Sequence, residues 1–125
     1  GLSGFEARSI RTLSGGQLQR LLFARMMLQD AELILLDEPF AAIDQRTISD
    51  LLTIILNWHG EGRTILTVLH DFELVRRNFP LSLLVAREMI AWGPTPEVLT
   101  TDNLALARHM SEAFDQDAAF CERAA

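Results

Sequence analysis

The sequence predicts an α/β domain with a mostly parallel sheet flanked by helices. Three observations predict it. Leu33 to Leu36 is a short, wholly apolar run, and Thr64 to Leu69 is rich in β-branched residues, as expected of strands buried on both faces of a parallel sheet. Apolar residues at helical spacing fill the segments before and between these runs. Polar residues able to do chemistry, Asp37, Glu38 and His70, follow directly where each run stops. In open α/β sheets, ligands sit at the carboxyl ends of the strands.

The elements follow in order. Gly1 to Thr12 has no strong helical pattern and reads as the end of a helical subdomain or as a flexible lead-in. Ser14 or a neighbour is placed to cap a helix in which Leu18, Leu21, Leu22, Ala24, Met26 and Leu28 form a broad apolar face, ending near Gln29 and Asp30. The Leu33 run is the first strand, and Pro39 stops it. Asp44 is placed to cap the next helix, where Ile48, Leu51, Leu52, Ile55 and Leu56 repeat at helical spacing until Gly60 and Gly62 break it. After the second strand, Phe72, Leu74 and Val75 begin a short helix. Leu81 to Val85 and Glu88 to Trp92 form two short strands joined around Ala86 and Arg87, and Gly93-Pro94 turns the chain. Pro96 to Leu99 gives one helical turn. Beyond it Leu104, Ala107, Met110, Phe114 and Ala118 predict an amphipathic helix or a broken helix pair. Three stretches are expected: 1–30 with the glycine turn and its helix, 31–93 with the core strands, and 94–125 as a helical tail.

Composition narrows the classes. A chain of 125 residues with 49% apolar content can bury one core and is not disordered. Its formal charge of -6, with Arg76-Arg77 as the one basic cluster, offers no general attraction to nucleic acid or anionic lipid. One cysteine, Cys121, excludes an internal disulfide. With no signal-peptide pattern at its start, a reducing, cytosolic compartment is the expectation. No apolar stretch approaches the roughly 20 residues of a membrane span. The eleven basic residues are all arginine. A phosphate-binding loop of the G-x-x-x-x-G-K-S/T kind needs a lysine, so these residues do not contain one.

Three groups of residues carry candidate chemistry. Asp37 and Glu38 emerge where a parallel strand ends. An aspartate there can hold Mg²⁺ directly or through water, and an adjacent glutamate can orient and deprotonate an attacking water. The plainer reading is a polar turn before proline. His70, at the exit of the second strand, could sit beside Glu38 and a phosphate, or serve structure alone. Ser14-Gly15-Gly16 precedes a helix, and free N–H groups at a helix start attract anions. The same serine could simply be an N-cap. His59 and His109 have no such context, and the three histidines are too scattered for a metal site.

Taken together these segments carry a family resemblance. Leu13-Ser14-Gly15-Gly16-Gln17 resembles the signature motif of ABC ATPases, and Leu33 to Pro39 resembles their Walker B strand with its glutamate. Ala41-Ala42-Ile43-Asp44 is similar to the D-loop, and Thr67 to Asp71 to the switch-histidine segment. The likeness covers roughly residues 11 to 95. It implies the C-terminal part of a P-loop NTPase fold, truncated of the half that bears Walker A. It further implies that Ser14, Gly15, Gly16 and Gln17 approach the γ-phosphate of ATP bound to an opposite subunit. Asp37 would support Mg²⁺, Glu38 would be the catalytic base, Asp44 would couple the two sites, and His70 would contact the γ-phosphate. Leu69 stands where the family usually has threonine and Ile43 where it usually has leucine. The family's adenine-stacking aromatic, phosphate loop and glutamine loop are not among these residues, so inactivity of the chain by itself is expected.

Ala91 to Thr100 resembles the G-x-P-x-E-V-L segment of importers. With Asn103-Leu104 and the stretch through Asp115 it looks most like the ATP-binding subunits of bacterial manganese, zinc or iron importers. That likeness implies a second ATPase subunit, a transmembrane permease and, indirectly, an extracytoplasmic substrate-binding protein as partners. It places the chain in the cytoplasm, peripheral on the membrane's inner face, with no nucleic acid expected. The competing expectation is a truncated, non-catalytic ABC-like interaction module. An ABC-type ATPase acting on DNA is disfavoured, because no coiled-coil-like insertion or basic stripe accompanies the motifs.

Overall fold

A computed structural model describes residues 4–117. Ala118 and Cys121 lie outside the described residues. The chain divides into two compact units, before and after the His70–Asp71 bond, and each has its own elements.

The first unit opens with a short 3₁₀ turn at Ile10–Thr12 and then α1, Gly15–Gln29. Ser14 starts α1 through a reciprocal capping box. Its Oγ accepts from the Gln17 N–H, while its own N–H donates to Gln17 Oε1. Two orphan donors are thereby satisfied, which lets a helix begin on two glycines that would otherwise favour a coil. Asp30, in the left-handed conformation, ends it. β1 (Leu33–Asp37) and β2 (Thr64–Val68) pair in parallel from Leu33↔Thr64 to Asp37↔Val68. Between them runs α2, Gln45–Gly60, the crossover that parallel pairing demands. Arg63 fixes the entry to β2 by donating to Asp30, Glu61 and the Ala31 carbonyl.

Packing follows the alternation of the strands. Ile34 and Leu36 are buried, as are Ile48, Leu51, Ile55 and Trp58 of α2, and Phe23 of α1 stacks on Trp58 with ring centroids 5.7 Å apart. The expectation that both strands are buried on both faces is corrected here. Leu33, Leu35, Leu66 and Val68 are all exposed, Leu35 to 64%. The reason is topological: this sheet has two strands, and no described element covers its second face. A buried apolar run and a half-covered one look alike in sequence.

The second unit contains α3 (Phe72–Asn78), capped by Asp71, an antiparallel hairpin of β3 (Leu81–Val85) and β4 (Met89–Pro94), then α4 (Thr95–Val98) and α5 (Thr101–Asp117). The C-terminal segment is one continuous helix through Asp117. Leu84, Val98 and Leu99 form the core, with Val75, Ile90, Ala91, Leu104 and Ala107 packed around them. Thr95 is buried, and its hydroxyl donates to the Phe79 carbonyl and meets Ser82 Oγ at 2.8 Å, so burial leaves no polar atom of that side chain unpaired. The outer face of the hairpin, with Leu81, Leu83, Val85, Met89 and Trp92, is exposed.

Truncating the first unit's core should separate its covered face from its open one. Leu51, with no exposure, loses about 2–5 kcal/mol as Leu51→Ala, whereas exposed Leu35→Ala changes stability by about 0.5 kcal/mol or less. Urea unfolding followed by tryptophan fluorescence measures both; equal losses would contradict the packing described.

Candidate functional site

Parallel pairing continues one residue past β1, where the Glu38 N–H donates to the Val68 carbonyl at 3.1 Å. There the chain bends. Glu38 has φ of +43°, a left-handed conformation rarely adopted by a residue with a Cβ, and the Ala41 N–H closes the turn onto the Glu38 carbonyl. Pro39 is buried behind it. This bend brings the Glu38 carboxylate to the exit of the neighbouring strand, where His70 Nε2 lies 2.9 Å from Glu38 Oε1. Against an ionised carboxylate, which only accepts, Nε2 carries the proton and donates it. The pair is open to solvent, His70 to 77% and Glu38 to 49%. Asp37, the last residue of β1, is also exposed, and strand alternation puts it on the face opposite buried Leu36.

A second cluster forms where the starts of α1 and α2 meet. Gly15 and Gly16 have no positive φ, so flexibility is not their use; close approach is. A Cβ on Gly16 would fall 3.3 Å from Thr47 Oγ1 and 3.6 Å from Asp44 Oδ2, and one on Gly15 would fall 3.5 Å from the Ala42 carbonyl. Asp44 caps α2. Its Oδ1 accepts from the Thr47 N–H at 2.9 Å and its Oδ2 from the Thr47 hydroxyl at 2.8 Å. These two bonds, the backbone one foremost, hold the Asp44 carboxyl below its ordinary value. Arg20 of α1 reaches across and donates from Nη2 to Thr47 Oγ1 at 3.1 Å and to Asp50 Oδ2 at 2.8 Å. The open cleft between these groups, about 380 Å³, is lined by Ser14, Gly16, Gln17, Arg20, Arg46 and Thr47 together with Asp44.

The predicted residues therefore fall into two groups. Ser14, Gly16, Gln17 and Asp44 line the cleft, with Gly15 turned to the Ala42 carbonyl; Asp37, Glu38 and His70 stand at the ends of β1 and β2. Arg20 and Thr47 were not singled out by sequence. Thr47 follows Asp44 at the spacing of a capping pair, a readable signal, but Arg20 meets partners 27 and 30 residues away, which no local pattern marks. No group of three or more His, Cys, Asp or Glu among the described residues could hold a metal by itself.

Comparison with known proteins gives a consistent result. Residues 1–41 match the family model for ABC transporters. The manganese transport system ATP-binding protein MntB of Halalkalibacterium halodurans is 39% identical over 105 residues, covering 84% of this chain and 42% of that protein. MntB of Bacillus subtilis is 38% identical over 104 residues, with coverage of 83% and 42%. The zinc transport system ATP-binding protein TroB of Treponema pallidum is 38% identical over 102 residues, with coverage of 82% and 38%. The chain thus spans less than half the length of these relatives. An ABC transporter of proposed metal-chelate type, solved inward-facing, superposes with a TM-score of 0.74 at 31% identity, over 82% of this chain and 41% of that one. The ATP-binding cassette MJ1267 in its ADP conformation shares the fold, with a TM-score of 0.67 at 22% identity, over 78% and 41%.

Two outcomes follow from the geometry. Because the folded-state pKa of Asp44 is lowered, the stability it contributes is fully present above the ordinary value of 3.8 and is lost as pH falls through the lower, folded value. Thermal melting between pH 5 and 2 should therefore show a steeper acid loss in the wild type than in Asp44→Asn, and parallel curves would refute the role of this carboxylate. At Glu38 the left-handed backbone favours glycine, so Glu38→Gly should be more stable than Glu38→Ala by about 1 kcal/mol in denaturant titration.

Proposed function

From a chain that is part of an ABC transporter ATP-binding domain, we propose a role within the subunit that binds and hydrolyses ATP to energise an importer, with a transition-metal ion as cargo. The observation that carries the reading is the contact of Glu38 with His70 at the carboxyl ends of two paired parallel strands. A carboxylate so placed can take the proton of an attacking water, and an imidazole N–H donating to one of its oxygens leaves the other free to do so. His70 is exposed enough to meet a phosphate oxygen as well.

Asp37 supplies one hard oxygen ligand at the same strand end. That suits Mg²⁺, which keeps several waters and takes one or two carboxylates together with substrate phosphates rather than a full protein cage. When bound, the ion neutralises charge that develops on the transferred phosphoryl group. The Ser14–Gln17 turn, with its backbone brought close by two glycines, offers helix-start N–H groups to the γ-phosphate of ATP held by an opposite subunit. Asp44 sits against that turn and would link the two sites across the dimer.

The 125 residues contain no lysine and hence no lysine-bearing phosphate loop. Hydrolysis needs that preorganised cradle, so these residues by themselves supply one face of a site and do not turn over ATP. No described helix is long and apolar enough to cross a membrane. The attachment we propose is to the cytoplasmic side of a transmembrane permease, with a second ATPase subunit opposite and an extracytoplasmic binding protein acting indirectly.

A phosphate-release assay on the 125-residue chain should show no turnover above buffer. In a full-length subunit containing these residues, Glu38→Gln should lower kcat by about a thousandfold or more while ATP binding persists, and should trap a nucleotide-dependent dimer visible by gel filtration. Turnover of the variant at the wild-type rate would remove Glu38 as the base.

A further inference from the structure

We infer that Arg20 is a positioning residue that locks the glycine turn of α1 to Asp44 at the start of α2, so that both are presented to an opposing subunit as one rigid surface. The inference rests on the ATPase reading above and deepens it. Its basis is a directional chain of hydrogen bonds. Arg20 Nη2 donates to Thr47 Oγ1, and Thr47 Oγ1 donates its own proton to Asp44 Oδ2, whose other oxygen accepts the Thr47 N–H. Asp50 Oδ2, 2.8 Å from the same nitrogen, anchors the guanidinium from the next turn of α2. The two hydrogens on Nη2 thus tie a rotor and a carboxylate one turn apart, at the fixed in-plane angle of a guanidinium nitrogen.

Two further observations separate positioning from a simple surface ion pair. Thr47 is almost fully buried, and its hydroxyl is oriented from both sides, donating to Asp44 Oδ2 and accepting from Arg20, while Gly16 packs so close that a Cβ there would fall 3.3 Å from Thr47 Oγ1. Arg20 Nε is buried with no hydrogen-bond partner among the described residues. A guanidinium placed to satisfy itself would pair that donor; here the side chain gives it up, and what it gains is the Thr47–Asp50 geometry. The cleft beside it is lined by Ser14, Gly16 and Gln17 on one side and by Asp44 and Thr47 on the other. Arg20 spans the two sides. Loosening it leaves each helix intact and lets the turn and the capping aspartate move independently, which degrades a site that needs both held together.

The test uses the full-length ATPase subunit. Arg20→Met keeps the apolar stem and removes the fork. Monomer affinity for ATP should stay within about twofold, while nucleotide-driven dimerisation and kcat each fall about tenfold and KM changes little. Arg20→Lys, which keeps the charge but not the fixed planar donor geometry, should recover only part of the loss. A variant with a lowered melting temperature but wild-type dimerisation and kcat would reduce Arg20 to a structural staple and overturn the inference. Should Arg20→Met fail to fold, Thr47→Val keeps the shape and the Arg20–Asp50 pair but cuts the link to Asp44; an unchanged kcat there overturns the inference equally. Absence of ATPase activity in the wild-type subunit, or full activity in Glu38→Gln, would instead sink the functional reading. In that case hydrogen exchange at the Thr47 amide decides: faster exchange in Arg20→Met sustains the link, and identical exchange ends it.

Discussion

The in-register parallel pairing of β1 with β2, Leu33↔Thr64 through Asp37↔Val68, is the constraint from which the arrangement of the first unit follows. Side chains alternate along a strand, so a slip of one residue would turn Ile34 and Leu36 away from α2 and expose them. It would also carry the end of β1 one residue past or short of the end of β2. Because the register holds, the Glu38 N–H finds the Val68 carbonyl, the chain bends there, and the carboxylate arrives beside His70. The left-handed backbone at Glu38 is a local cost, held in place by the Glu38–Val68 and Ala41–Glu38 backbone bonds on either side of the turn.

The meeting of α1 and α2 depends on a different physical economy, the absence of side chains. Glycine at positions 15 and 16 is unfavourable for helix initiation, and the Ser14–Gln17 capping box offsets that. What the glycines give is distance: Gly16 lies close enough to Thr47 that a methyl group would press on its hydroxyl. One serine therefore has two uses that are not alternatives. It caps its own helix, and by doing so it holds the glycines where the start of α2 can reach them.

Each unit also carries an apolar face that no described element covers, Leu33, Leu35, Leu66 and Val68 in one and Leu81, Leu83, Val85, Met89 and Trp92 in the other. Two-stranded sheets are marginal without a covering layer on at least one side. In the first unit α2 covers one side, with Leu51 and Ile55 facing inward; in the second the core of Leu84, Val98 and Leu99 does so.

By itself the sequence determined the order and type of nearly every element, because local signals coincide: Ser14 and Asp44 at helix starts, helical spacing from Ile48 to Leu56, and apolar runs ended by Asp37-Glu38-Pro39 and His70. It also marked the residues that gather at the strand ends, since acids and a histidine after apolar runs are legible one residue at a time. Tertiary structure alone decided three things. It left one face of each strand open, because burial depends on what packs above a strand and not on the strand's own residues. It set Glu38 against His70 through a register that residues 32 apart cannot announce. And it recruited Arg20, whose partners lie a whole strand and turn away, because a long forked cation acquires its role only when two helices bring their starts together.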